Sequence, residues 1–271
     1  ANAKSNPDFL MQEKVADVTY GHNPRRQMIS TEIVNKFDFE QLPGIYAKLY
    51  PGANGFVFTF VGNIDPEMLK PLVEKYIGSI PAARKPINYV DDKAYPVKGE
   101  VTEEFTAPMQ QPKVSVNYYF SGEMPYTLKN KMALTFLTQA LNSRYLVSIR
   151  EEKGGTYYVG VHDEVSARPR GYCQLVVSFD TDPKLCEMLL GEVQKGIERL
   201  AAEAPSEQEV NEAMLYFRKV NAESRSKNLK STSYWLNKMR AEYFDGVDLD
   251  KDNEALFTAV TPAEVRRLAR E

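Results

Sequence analysis

Two polar side chains in the middle of the chain, Arg150 and Tyr157, have the types and the spacing to do chemistry. They lie on either side of a Gly154-Gly155 pair. A guanidinium offers fixed, always-charged donors and a phenol offers one adjustable donor, a combination suited to holding peptide carbonyls or a developing oxyanion. A plainer interpretation stays open, because charged helix faces are usually just solvated. In that case Arg150 pairs with Glu151 or another carboxylate at the surface.

The pair belongs to a segment from Leu141 to Val161 that joins two predicted core elements. The sequence predicts the end of one helix, then a short amphipathic helix that carries Arg144 and Arg150. A break at Gly154-Gly155 follows, and a strand opens on Tyr157.

Other kinds of catalytic site find little support. The chain has two histidines, His22 and His162, and no His-x-x-Glu-His element, whereas a zinc site needs three or four closely placed ligands. We therefore expect no metal site in this chain. No phosphate-binding glycine loop occurs, and a serine or cysteine nucleophile would need a nearby histidine base that the sequence does not supply.

The net charge and the apolar content of the chain bear on two classes of partner, nucleic acids and membranes. The net charge of -3 does not favour nucleic acid or an anionic membrane surface as a partner. No run of 18 apolar residues is present, so we expect no membrane span, and the N-terminus lacks a basic-then-apolar signal pattern.

The chain divides at a proline-rich, charged stretch, which predicts a linker over 86–95 between a region 1–85 and a region 96–271. The first region is predicted to be mostly helical, with a buried strand over Gly55–Gly62. A helix follows over 65–78, with Asp65 as its N-cap and Pro66 in its first turn.

The pattern of the second region predicts strands followed by helices. This order is typical of an α+β fold with an antiparallel-rich sheet and helices packed on one face. Strands are predicted over 99–106, 112–121, 156–165 and 171–179, the last two as a hairpin. A helix is predicted over 128–141, with Ala133, Phe136, Leu137, Ala140 and Leu141 on one face. Later helices begin at capping boxes, at Ser206 with Glu209 and at Thr261 with Glu264.

The segment Ser143-Arg-Tyr-Leu-Val-Ser-Ile-Arg-Glu-Glu-Lys-Gly-Gly-Thr-Tyr157 resembles the signature of the non-catalytic half of pitrilysin/insulinase-type zinc metallopeptidases, the inverzincins. A second block resembles the same family and consists of three pieces: Leu49-Tyr-Pro-Gly-Ala-Asn, Val61-Gly-Asn-Ile-Asp-Pro-Glu67 and Tyr76-Ile-Gly-Ser-Ile80. The resemblance covers nearly the whole chain in the right order.

The resemblance implies a module of the pitrilysin/insulinase-like fold at 96–271, preceded by the tail of a similar module at 1–85. It also implies that Arg150 and Tyr157 bind substrate and help stabilise the tetrahedral intermediate, while Ser143, Arg144 and Gly154 shape the supporting turn. Zinc would be held by an absent N-terminal half of the same polypeptide or by a partner subunit. The zinc motif is missing here and the family's final strand is missing too, so we expect a fragment that does not hydrolyse peptides by itself.

Two rival interpretations remain open. One is a catalytically inactive homologue or partner subunit that serves as a peptide-binding or assembly scaffold. The other is an unrelated α+β binding domain with a similar rhythm of strands and helices. The compartment also stays open between bacterial periplasm and cytoplasm, and we favour the periplasm.

Overall fold

The computed structural model describes residues 6–82, 90–109, 111–168, 170–246 and 248–271, without the side chains of 249–253. The chain packs as two units, Ala1–Gln110 and Gln111–Glu271. None of the described helices has the length and apolar character needed to cross a membrane.

The described residues of the first unit form four helices: α1 (Pro7–Thr19), α2 (Thr31–Asn35), α3 (Leu42–Leu49) and α4 (Pro66–Tyr76). The predicted cap of α4 forms, since the Glu67 N–H donates to the Asp65 carboxylate at 2.9 Å. Ala94 is the single buried apolar residue among those described in this unit. Its larger apolar side chains are exposed or half-buried.

Two predicted strands of the first unit are wrong. The stretches 55–62 and 99–106 form no strand among the described residues, and Phe56, Phe58 and Phe60 remain 42–47% exposed. A strand is stable only when a neighbouring strand satisfies its backbone N–H and C=O groups. Alternating or continuous apolar residues predict a tendency to be buried, and they carry no information about whether such a neighbour is present.

The boundary between the two units, after Gln110, lies beyond the predicted linker over 86–95. Residues 83–89, which include the first part of that linker, fall outside the described residues. Residues 90–109 pack within the first unit: the Val97 N–H donates to the Thr19 carbonyl at 2.8 Å, and Lys14 pairs with Glu103 at 2.9 Å. The assignment of 1–85 and 96–271 to two modules stays a prediction.

The second unit is α+β, as predicted. Its strands are β1 (Val114–Glu123), β2 (Val159–Ser166) and β3 (Tyr172–Thr181). Its helices are α5 (Leu128–Tyr145), α6 (Cys186–Ala202), α7 (Glu207–Asn228), α8 (Thr232–Asp245), α9 (Leu249–Ala259) and α10 (Pro262–Arg270). Both predicted capping boxes form, at the starts of α7 and α10.

The sheet is antiparallel with strand order β1-β3-β2, so the predicted hairpin β2–β3 is confirmed. Its register aligns Val161 with Val177 and Val177 with Tyr118, which brings apolar side chains of all three strands to one face. Cross-strand neighbours on one face are the pairs that stabilise a sheet. Helices α5 and α6 supply the other side of the core.

Helix α5 contributes the largest share of that core. All five residues predicted on its inner face are buried, and so are Leu134 and Tyr145. The Tyr145 ring is fully buried against α6, where its hydroxyl donates to the Val193 carbonyl at 2.6 Å. Burial raises the pKa of Tyr145 well above its ordinary value, so the hydroxyl keeps its proton and remains a donor.

Gly196 in α6 leaves the space that the Tyr145 ring occupies. A Cβ atom at Gly196 would overlap this ring, whereas a Cβ atom at Gly191, in the same helix, would meet nothing within 4 Å. The α5–α6 contact therefore depends on glycine at one position and not at the other.

We expect Gly196→Ala to lower the free energy of unfolding by about 1–3 kcal/mol, because the added methyl overpacks a core in which Tyr145 cannot move aside. Gly191→Ala is the matched control and should be neutral or stabilising by up to about 1 kcal/mol, since alanine favours a helix more than glycine does. Urea denaturation of the three proteins measures the difference. Equal stabilities of the two variants would show that the ring and the glycine do not pack as described.

Candidate functional site

The candidate site begins where α5 changes into a π-helical segment, Leu146–Glu151. The wider spacing is visible in the Glu152 N–H, which donates to the Val147 carbonyl at 2.9 Å. Insertions of this kind inside α-helices are frequent at functional sites. Here the π segment buries Ile149 completely and leaves the next residue, Arg150, exposed.

The predicted short helix is wrong in its bounds. Arg144 lies in the last turn of α5, Arg150 lies in the π segment, and β2 begins at Val159 and not at Tyr157. The helix predicted over 128–141 continues through Tyr145, and the Asn142 side chain in its last turns bonds to β2.

A tight turn follows the π segment. The backbone at Gly154 is left-handed, with φ at +57°, a conformation that glycine adopts at little cost. The Gly154 N–H donates to the Arg150 carbonyl at 3.1 Å. The turn brings the chain back toward β2 beside the residues that precede it.

This turn brings Arg150 and Tyr157 together. The Arg150 guanidinium carbon lies 5.6 Å from the centre of the Tyr157 ring, within the range of a cation–π contact. Tyr157 is 90% exposed. Among the described residues no carboxylate lies within ion-pair distance of Arg150, so the alternative interpretation, in which Arg150 pairs with Glu151 or another surface carboxylate, is not observed there. Both side chains therefore present donors to solvent.

Arg144 has a different environment. Its guanidinium donates to both carboxylate oxygens of Glu209, at 3.0 and 3.2 Å. Glu209 also completes the capping box of α7 with Ser206, so the bidentate pair ties the end of α5 to the start of α7. Ser143 is exposed on α5. Neither Ser143 nor Arg144 lies in the Gly154 turn.

Two opposing effects act on the pKa of the Glu209 carboxyl. Partial burial raises the pKa of this carboxyl, but the hydrogen bonds from Arg144 and Ser206 and the charge of Arg144 outweigh burial and hold the pKa below its ordinary value.

Two residues near the Arg150–Tyr157 pair were not predicted as site residues from the sequence. Asn142 bonds to both backbone groups of Val161, and the Thr181 hydroxyl donates to the Gly155 carbonyl at 2.6 Å. A signal for Thr181 was present in the sequence, because it continues the inward-facing alternation of Leu175, Val177 and Phe179 with a polar side chain. No comparable signal marks the partner of Asn142.

The two histidines do not form a metal site within the described ranges. His22 lies beside Asp17, with Nδ1 2.6 Å from Oδ2, and His162 is exposed on β2. No three His, Cys, Asp or Glu side chains in the described part of the chain are placed to hold a metal ion. The described residues therefore do not fit a zinc ligand set.

The described part of the second unit is an α+β module that presents an exposed Arg–Tyr pair. The chain matches the family model described as "Peptidase M16 inactive domain" over residues 36–215. It therefore belongs to the peptidase M16 family, as part of that family's inactive domain.

Relatives of the chain are zinc proteases by description. "Zinc protease PQQL-like" from Arabidopsis thaliana is 23% identical over 252 residues, which are 88% of this chain and 26% of that protein. "Probable zinc protease PqqL" from Escherichia coli is 29% identical over 171 residues, 61% of this chain and 18% of that protein. The chain thus spans about a quarter or less of the curated relatives it matches.

The fold is shared with a solved structure, the periplasmic protease PqqL from Escherichia coli. The TM-score is 0.74 at 20% identity, and the match covers 99% of this chain and 29% of that one.

We expect Arg144→Met to lower the free energy of unfolding by about 1 kcal/mol at pH 7, because a partly buried bidentate pair is lost. The pKa of Glu209 is lowered in the folded state, so the pair's contribution is complete above the ordinary carboxyl range and is lost as the pH falls through the folded pKa. The difference between the two proteins should therefore shrink below about pH 4. Urea denaturation between pH 7 and pH 3 measures it, with Arg240→Met, an exposed position in α8, as the control. A difference that persists unchanged in acid would contradict the pairing.

Proposed function

We propose that this chain is the C-terminal, substrate-binding part of a zinc-dependent endopeptidase, in which Arg150 and Tyr157 bind the peptide and stabilise the tetrahedral intermediate. One observation carries the proposal: the Arg150 guanidinium is exposed, lies over the Tyr157 ring and has no carboxylate partner in the described part of the chain. Arg144, six positions earlier, shows what a structural arginine looks like in this fold.

The chemistry follows from the two donors. The guanidinium keeps its charge at every working pH and offers N–H groups in a fixed plane, while the phenol donates from a rotatable hydroxyl. A peptide carbonyl oxygen gains negative charge as its carbon becomes tetrahedral. Donors that are already in place stabilise that oxygen more strongly than they stabilise the ground state, which lowers the barrier.

The zinc, in this proposal, is held outside this chain, in the N-terminal half of the same polypeptide or in a partner subunit. The description of the relatives as zinc proteases and the small fraction of them that this chain spans both support it. The periplasm is the compartment that we propose, supported by the description of the Escherichia coli protein as periplasmic.

The first test asks whether zinc binding and peptide cleavage require the part of the protein outside this chain. We expect the 271-residue chain to bind no stoichiometric zinc and to cleave no member of a mixed-sequence library of internally quenched peptides. The complete protein should bind zinc and cleave the library, and chelation should abolish that cleavage. Metal analysis and fluorescence measure these results. Zinc-dependent cleavage by the chain alone would overturn the proposal, and a complete protein that binds peptides without cleaving them would favour the inactive scaffold.

The second test concerns the pair itself. In the complete enzyme, Arg150→Ala and Tyr157→Phe should each lower kcat/KM by roughly 100-fold on the library peptide that is cleaved fastest, the scale of losing one preorganised donor. Arg240→Ala and Tyr243→Phe, exposed residues of α8, are the matched controls and should leave kcat/KM unchanged. Unaltered kinetics in both Arg150 and Tyr157 variants would remove the proposed role.

A further inference from the structure

The segment that presents Arg150 and Tyr157 is exposed, yet it is held on both sides by polar side chains from the core. Its backbone leaves the core after Ile149 and returns to it at Val159, both of which are buried. Donors that act on a transition state must be held in place before the reaction, since a displacement of about 1 Å can cost a hundredfold in rate. The contacts that hold this segment therefore matter to the proposed function.

The first contact holds the turn against the end of β3. Thr181, the last residue of β3, is 5% exposed, and its hydroxyl donates to the Gly155 carbonyl at 2.6 Å. Gly155 is itself buried, and a Cβ atom there would lie 2.7 Å from the buried side chain of Leu189. The Gly155 peptide, two residues before Tyr157, is thus hydrogen-bonded to Thr181 and lies close against Leu189.

The second contact fixes the helix end against the sheet. The Val161 N–H donates to Asn142 Oδ1 at 2.8 Å, and Asn142 Nδ2 donates to the Val161 carbonyl at 3.0 Å. The carboxamide thus occupies the place of a neighbouring strand at the open edge of β2, since β3 lies on the other edge. It ties the last turns of α5, which lead to Arg150, to the strand that follows Tyr157.

Together the two contacts hold the segment that contains Arg150 and Tyr157. Asn142 joins the helix before Arg150 to the strand after Tyr157, and Thr181 holds the turn between them. We infer that Asn142 and Thr181 are positioning residues, which fix the separation and direction of the Arg150 and Tyr157 donors for substrate. This inference rests on the proposed function of the pair.

The chain offers a matched control for Thr181. Thr138 in α5 is also buried, at 7% exposed, but its hydroxyl has no hydrogen-bond partner among the described residues. Replacing either threonine by valine keeps the shape and removes the hydroxyl. Only Thr181→Val removes a hydrogen bond from the segment.

The first experiment measures position without activity, by hydrogen–deuterium exchange of the 271-residue chain. Thr181→Val should accelerate exchange of the Gly154 and Gly155 amides roughly tenfold, because the turn that protects them is released. Asn142→Ala should do the same for the Val161 amide. Thr138→Val should change none of the three, and unchanged exchange in the Thr181 and Asn142 variants would overturn the inference.

The second experiment is a kinetic cycle in the complete enzyme, on the same quenched peptide and well below the unfolding temperature. Thr181→Val should lower kcat/KM roughly tenfold through kcat, the scale seen when a supporting residue is removed. Thr181→Ser, which keeps the hydroxyl, should restore it. In a Tyr157→Phe background the effect of Thr181→Val should be smaller, because the part that acts through the Tyr157 hydroxyl is then already lost.

The outcomes separate the two proposals. If Arg150→Ala and Tyr157→Phe leave kcat/KM unchanged, the proposed function fails, and the exchange data still decide whether Asn142 and Thr181 hold the segment. If those variants lower kcat/KM but Thr181→Val has no effect, or has the same effect in the Tyr157→Phe background, the positioning role fails and the proposed function stands.

Discussion

The placement of α5 on α6 depends on one buried polar contact, the hydrogen bond from the Tyr145 hydroxyl to the Val193 carbonyl. A buried phenol without a partner would cost free energy, so this ring can occupy the core only where an acceptor faces it. The acceptor lies in α6, beside a glycine that leaves room for the ring. The contact fixes the end of α5 on α6, and the residues that follow, from Leu146 to Tyr157, take their direction from that end.

Two arginines on one helical stretch illustrate how surroundings divide roles between identical side chains. Arg144 faces α7 and donates to both oxygens of Glu209, which also caps that helix. Arg150 comes after the change to π geometry and points away from the core, over Tyr157. The added residue of a π turn rotates everything that follows relative to α5. The first arginine therefore joins two helices, and the second has its donors in solvent.

The first unit shows the limit of reading strands from apolar residues. The run Phe56–Val61 is as apolar as the strands of the second unit, yet the described residues provide no neighbouring strand for it. In the second unit, β3 lies between β1 and β2, and each strand is satisfied by its neighbour. The same pattern of residues thus gives a strand in one unit and none in the other.

The sequence by itself determined the local features whose causes lie within a few residues. These are the capping boxes at Ser206 and Thr261, the buried face of α5, the β2–β3 hairpin and the Arg150–Tyr157 motif with its family resemblance. Only the tertiary structure decided which arginine would be paired, where α5 would end and which polar groups would hold the exposed pair. Asn142 meets Val161 and Thr181 meets Gly155 across 19 and 26 positions of sequence. Such contacts depend on how helix and sheet pack, and no local spacing records that packing.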